Sequence, residues 1–328
     1  MANLEKRVLY SLLRMHWLND RSMPVEPWQV EDYSTWSVDA LFKALSRFFI
    51  QLDRTSFVVY ADLCDSPEDL TSYLLGDRPV RTEEEDQVYL PIFELWRQLM
   101  PNKPSLSIFC SDLDQLIYLY DQGKLENSSV LPDALVKLLF ILNENVDAGI
   151  EPKEAFNRIS AYCANDLEAF LYDFILDQIN GDQESYALEL LDGFALYFSD
   201  NKWFILLRTK LLNRSNMKSA NKILAQIIED YFEENDLDFN LEYLSFMAES
   251  DAPLLFRQAV KETLPLLQTE EDFQDILSIC IDYYHRLDQD QSEQSVRAIL
   301  DHRSHLPSDQ ALNKHDRDIE KLIAIVAI

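Results

Sequence analysis

The chain has 328 residues, 47% of them apolar, and a formal net charge of -29, so it can bury a large core beneath a strongly acidic surface. Such a surface repels nucleic-acid phosphates and anionic membranes, and no window approaches about 18 uncharged apolar residues, so no membrane-spanning helix is expected. Only five glycines occur; strand-rich folds consume glycine in turns and bulges, so an all-α fold is expected.

Near the N-terminus, Leu4, Val8, Leu9, Leu12 and Leu13 form a helical apolar stripe instead of a signal-peptide block. Cys64, Cys110, Cys163 and Cys280 lie far apart within apolar stripes, as buried free thiols do in a reducing compartment. A cytoplasmic location is therefore expected. Residues 19–37 are the most irregular stretch, with Pro24, Pro27, Trp28, Tyr33 and Trp36. Aromatic residues on such a loop either anchor an interface or plug the open end of a helical array. Trp28 and Trp36 are thus candidates for partner binding, although the plug is the commoner arrangement.

Phe57-Val58-Val59-Tyr60 fits a short strand or a helix, with helix favoured. Ser66-Pro67-Glu68-Asp69 reads as a capped helix start, and Thr82 precedes Glu83, Glu84 and Glu85 in the same way. Pro91 should kink the helix that follows. Leu106, Phe109, Leu113, Leu116, Ile117 and Tyr120 keep helical spacing. Gly76, Gly123, Gly149 and Gly181 each follow an apolar-periodic run, where a left-handed cap is expected. Pro132 and Pro152 suit first-turn positions, and Asn165 or Asp166 should cap the next helix.

From Glu151 onward the chain reads as paired helices, each new pair starting 32 to 38 residues after the last, near Glu151, Gln183, Asn216, Asp251 and Gln289. One hairpin cannot bury its own apolar face, so this period predicts stacked antiparallel hairpins, an α-solenoid of tetratricopeptide-like architecture. The tetratricopeptide signature itself is missing. Anchored on Leu190, Leu191 falls where a small residue should be; anchored on Gly193, Asp192 falls at an apolar position. A compact, non-repeating multi-helix bundle is the alternative. About fourteen helices are expected in an irregular region 1–150 and a hairpin region 151–328. No low-complexity linker separates them, so one continuous body with a soft boundary near Gly149 is expected.

Between Asn201 and Ile228 stand six basic residues, Lys202, Arg208, Lys210, Arg214, Lys218 and Lys222, and no acidic ones. Either the island pairs with acidic helices inside the molecule, or it docks an acidic peptide or helix. Arg208, Lys210, Arg214, Lys218 and Lys222 are the partner-binding candidates. The acidic runs 83–86 and 229–238 read as solvated helix ends.

Phosphate-binding loops, a nucleophile elbow and the H-E-x-x-H motif are absent, and Asp282-x-x-His285 alone cannot make a di-iron site. His302, His305 and His315 could hold zinc in principle, but they sit among charged residues as on a wet surface. No catalytic residue, metal or cofactor is assigned, and the chain is read as a non-enzyme. The final seven residues, Leu322 to Ile328, are uncharged; they either complete a buried face or insert into a partner or a second copy. The expected function is a protein–protein interaction module, an adaptor, chaperone-like protein or scaffold holding a peptide or helix in a groove. The alternatives are a structural subunit of a larger complex and an all-α enzyme without a recognisable motif.

Overall fold

The computed structural model describes residues 6–125, 129–250 and 252–327. Among them there are eighteen α-helices, three short 3-10 turns and no strand; one isolated bridge joins Thr269 and Ala311. Eighteen exceeds the fourteen or so expected; the short α2, at Pro27–Val30, falls in the stretch read as irregular. Two compact units emerge, Met1–Leu171 and Tyr172–Ile328.

The first unit contains α1 (Lys6–Asn19), α2 (Pro27–Val30), α3 (Val38–Ser46), α4 (Arg54–Asp62), α5 (Pro67–Leu75), α6 (Thr82–Leu99), α7 (Leu106–Asp121), α8 (Val130–Asp147) and α9 (Pro152–Ser160). The division falls within α10 (Leu167–Asn180). Helix α6 is the centre of this unit. Every residue from Val88 to Trp96 is buried, as in a helix surrounded by others, and α3, α4 and α5 pack against it. Truncating a fully buried leucine here, such as Leu95, would cost about 2–5 kcal/mol. The helix runs from Thr82 to Leu99 through Pro91.

Local chemistry explains the helix starts. The 57–60 segment lies in α4 because Asp53 and Ser56 form a capping box: Ser56 N donates to Asp53 Oδ1 at 2.8 Å and Asp53 N to Ser56 Oγ at 2.9 Å. Ser66 caps α5 through Asp69 N at 3.1 Å. The cap of α6 is Arg81, with Thr82 as the first helical residue, one position from the expected start. Asp166 accepts from the amides of Glu168 and Ala169 at the head of α10. Asn165 is drawn instead to the buried carboxylate of Asp114, which also accepts from the Ala164 and Asn165 amides. Gly76, Gly123 and Gly149 adopt positive φ as expected, whereas after α10 that conformation falls to Asp182 at φ 58° in place of Gly181.

The second unit contains α11 (Glu184–Phe194), α12 (Lys202–Ser215), α13 (Met217–Tyr231), α14 (Leu237–Ala248), α15 (Pro253–Thr263), α16 (Glu270–Arg286), α17 (Asp290–Arg303) and α18 (Arg317–Val326). Helices α9, α11, α13, α15 and α17 begin within two residues of the five expected starts. The pairing, however, is out of phase with the expected one. The closely packed pairs are α12–α13, α14–α15 and α16–α17. Connection length decides this. Only Asn216 separates α12 from α13, whereas α13 and α14 are separated by a 3-10 turn at Phe232–Glu234. Successive pairs also touch through α12–α14, α13–α15 and α14–α16. Their shared core includes Phe239, Tyr243, Phe256 and Phe273, with the Phe256 and Tyr283 rings stacked 3.8 Å apart.

A buried ion cluster joins the last three helices. Arg303, near the end of α17, places Nε and Nη2 on the two carboxylate oxygens of Glu270 at 2.5 and 2.6 Å. Its Nη1 donates to Asp316 at 2.9 Å and Asp318 at 3.3 Å, and its guanidinium lies 5.0 Å from the Phe273 ring centre. The C-terminal apolar segment is divided in its exposure. Leu322 and Val326 are buried, while Ile323 is 40% exposed; Ile328 lies outside the described residues.

Candidate functional site

The basic island lies on α12 and α13, and four of its six cations have acidic partners within the second unit. Lys202 bonds Glu234 at 2.6 Å and Asp236 at 2.8 Å and lies 4.9 Å from the Phe239 ring centre. Burial pushes its ammonium pKa down, but the bonds it donates to Asp236 and Glu234 together hold it above the ordinary lysine value. Arg208 meets Asp192 at 2.8 Å and donates to the Leu191 carbonyl. Lys210 faces Glu249 at 3.8 Å. Arg214 reaches Glu184 at 2.6 Å and Asp182 at 3.3 Å; the Glu184 hydrogen bond, foremost, raises its pKa. The island thus neutralises acidic residues on α11, after α13 and at the end of α14.

Lys218 and Lys222 differ. Both are exposed on α13, one turn apart, and neither has a carboxylate within ion-pair distance among the described residues. Directly after Lys222 comes Ile223, which lines an open groove of about 380 Å³ between α11, α12 and α13. The floor is aromatic: the Phe198 and Phe204 rings stack at 4.1 Å, and Phe194 lies 6.3 Å from Phe198. Leu191 and Ile205 complete the apolar wall, and Arg208, Asp192 and Thr209 supply polar rim groups. Leu188 and Leu196, on and just after α11, are 46% and 54% exposed. Such a surface can exclude water from an apolar side chain, with Arg208 as the basic residue of its lining.

The groove residues escape a reading of charge pattern, because Phe194, Phe198 and Phe204 are indistinguishable from core residues on a sequence line. The available signal was Leu196 and Ile223, apolar residues at solvent-facing positions.

Trp28 and Trp36 belong to the first unit and the island residues to the second. Each tryptophan lies half-buried against the core of the first unit. Trp28 contacts Tyr10 with ring centres 5.5 Å apart, and Trp36 contacts Tyr33 at 4.9 Å; Trp36 Nε1 donates to Glu31 at 3.2 Å. His302 and His305 stand with ring centres 6.3 Å apart, and among the described residues no three His, Cys, Asp or Glu side chains converge as metal ligands. No described helix is long and apolar enough to cross a membrane. Compared with known proteins, the chain matches no family model, no curated protein and no solved structure.

Proposed function

We propose that the chain is a protein–protein interaction module whose second unit, built of stacked helical hairpins, receives an acidic amphipathic helix or peptide. The observation that carries this reading is the aromatic-floored groove between α11, α12 and α13, with Arg208 in its lining and the exposed Lys218 and Lys222 on the same helix as its wall residue Ile223. Helix-in-groove recognition combines apolar anchors at helical spacing with charge contacts along the rim. An anchor seated against Phe198, Phe204 and Ile223 gains apolar burial, and acidic residues of the same partner can reach Lys218 and Lys222 on α13, which have no carboxylate within ion-pair distance among the described residues. Arg208, Lys210 and Arg214 serve this reading less directly, since each already has a carboxylate partner.

The test is a peptide-display selection on the full chain, followed by fluorescence anisotropy with the enriched peptide. The expected peptides are acidic, with apolar pairs at helical spacing. Binding should weaken about tenfold or more in Ile223→Glu and in the Lys218→Glu/Lys222→Glu double variant, with helicity by circular dichroism unchanged. Absence of enrichment, or enriched peptides that bind both variants as tightly as the wild type, would refute the proposal.

A further inference from the structure

In the first unit, α1, α6 and α7 bring two guanidinium groups to one point. Arg7 Nε and Arg97 Nη2 both donate to the hydroxyl of Ser111, at 3.3 and 3.1 Å. Both guanidiniums also lie on the Phe93 ring, 4.8 and 5.4 Å from its centre. Two like charges sharing one hydroxyl and one ring repel each other. Arg97 is compensated by Asp112 at 3.2 Å and Glu94 at 3.7 Å, and nearby Arg14 by Asp32 at 2.6 Å. The carboxylate of Asp114 is already engaged by the Ala164 and Asn165 donors. Arg7 has no carboxylate within ion-pair distance among the described residues. Burial, and next the charge of Arg97, push its pKa below the ordinary arginine value. The buried Nε of Arg97 also lacks a hydrogen-bond partner.

Arg7, Arg14, Arg97, Ser111, Asp32 and Asp114 line a cavity of about 470 Å³, within the range of about 300–1,000 Å³ usual for small-molecule sites. Ser11, Ser34 and Tyr118 add hydroxyls to the wall, and Met15 and Leu18 add an apolar side. We infer that this cavity binds a small organic phosphate, its phosphoryl oxygens held by the forked donors of Arg7 and Arg97 and its organic part against Met15 and Leu18. A phosphate offers several acceptor oxygens to converging guanidiniums, whereas a single carboxylate satisfies one fork. The organic part accounts for a cavity larger than a bare ion requires. This site lies wholly in the first unit and is independent of the groove on α11–α13.

The test is isothermal titration of the full chain with phenyl phosphate, inorganic phosphate and benzoate at constant ionic strength. Phenyl phosphate is expected to bind saturably, one per chain, and more tightly than either control. Arg7→Gln should lose about tenfold or more in affinity. Arg7→Lys keeps the charge without the fork and should lose affinity too, which carries the test should the glutamine variant fail to fold. Lys222→Gln should bind as the wild type does. Absence of saturable binding, or unchanged affinity in the folded Arg7 variants, overturns the assignment. Inorganic phosphate binding as tightly as phenyl phosphate overturns the organic part of it.

Discussion

Replacing Arg303 by methionine should strongly destabilise the second unit. The arginine side chain is 7% exposed and Glu270 is 1% exposed, so removing the guanidinium leaves a carboxylate buried without its charge partner. Breaking a buried pair in this way costs about 3–5 kcal/mol, most of it the desolvation of the orphaned charge. Asp318 loses a partner but keeps Lys321 at 2.6 Å, and Asp316, at 26% exposure, regains water; both add little. The expected loss is therefore about 3–5 kcal/mol. Removing the orphan as well, in Arg303→Met/Glu270→Leu, should recover a large part of the loss, because two apolar side chains of similar volume need no compensation. The assay is native-state hydrogen exchange of peptides from α16 to α18, where about 3 kcal/mol corresponds to exchange faster by roughly two orders of magnitude. A single variant within about 1 kcal/mol of the wild type, or a double variant less stable than the single one, would refute the reasoning.

The same cluster sets a pH dependence. Burial pushes Asp318 up, but hydrogen bonds from Lys321 and Arg303 outweigh it and hold the carboxyl below its usual range. For Asp316, burial is likewise outweighed, here by the Asp318 amide and Arg303. A carboxyl whose folded pKa is depressed contributes stability above its unfolded value of about 3.9 and loses it as pH falls through the folded value. The wild type should therefore lose stability below about pH 4, and Arg303→Met more shallowly, in urea titrations across that window. Phe49 has φ 61° and is 85% exposed. Phe49→Gly should raise the urea midpoint by up to about 1 kcal/mol equivalent, the left-handed strain relieved exceeding the extra chain entropy of glycine; a clear loss of stability would count against this. All four cysteines are buried and unbridged. Burial pushes Cys280 up to about 12, and a hydrogen bond with Cys110, then burial, raises Cys163. A thiol reagent at pH 8 should label none rapidly in the native state and all four in denaturant; rapid native labelling would contradict this burial.

Helix identity was written locally, and so it was legible. A capping box at Asp53 and Ser56 decides between strand and helix for residues 57–60 within a single turn, and Ser66-Pro67 fixes α5 with no help from the rest of the chain. The starts of α9, α11, α13, α15 and α17 are likewise encoded by turn residues and the onset of helical periodicity. Which helix then pairs with which was not encoded there. The expected hairpins were one helix out of phase because connection geometry, a single asparagine at 216 against a 3-10 turn at 232–234, governs adjacency. A period in sequence gives spacing but not phase.

The sequence by itself determined the all-helical character of the described chain, its acidic charge and the existence of a basic segment, because propensity, capping and composition act over a few residues. Only the tertiary structure decided what the charges do. Arg214 turns to Asp182 and Glu184 while Lys218, one turn further on, has no carboxylate within ion-pair distance among the described residues. Arg303 meets Glu270 across 33 positions, and Arg7 meets Ser111 across 104. Coulomb attraction and desolvation depend on distance in space, and packing brings together residues whose separation along the chain gives no hint of it.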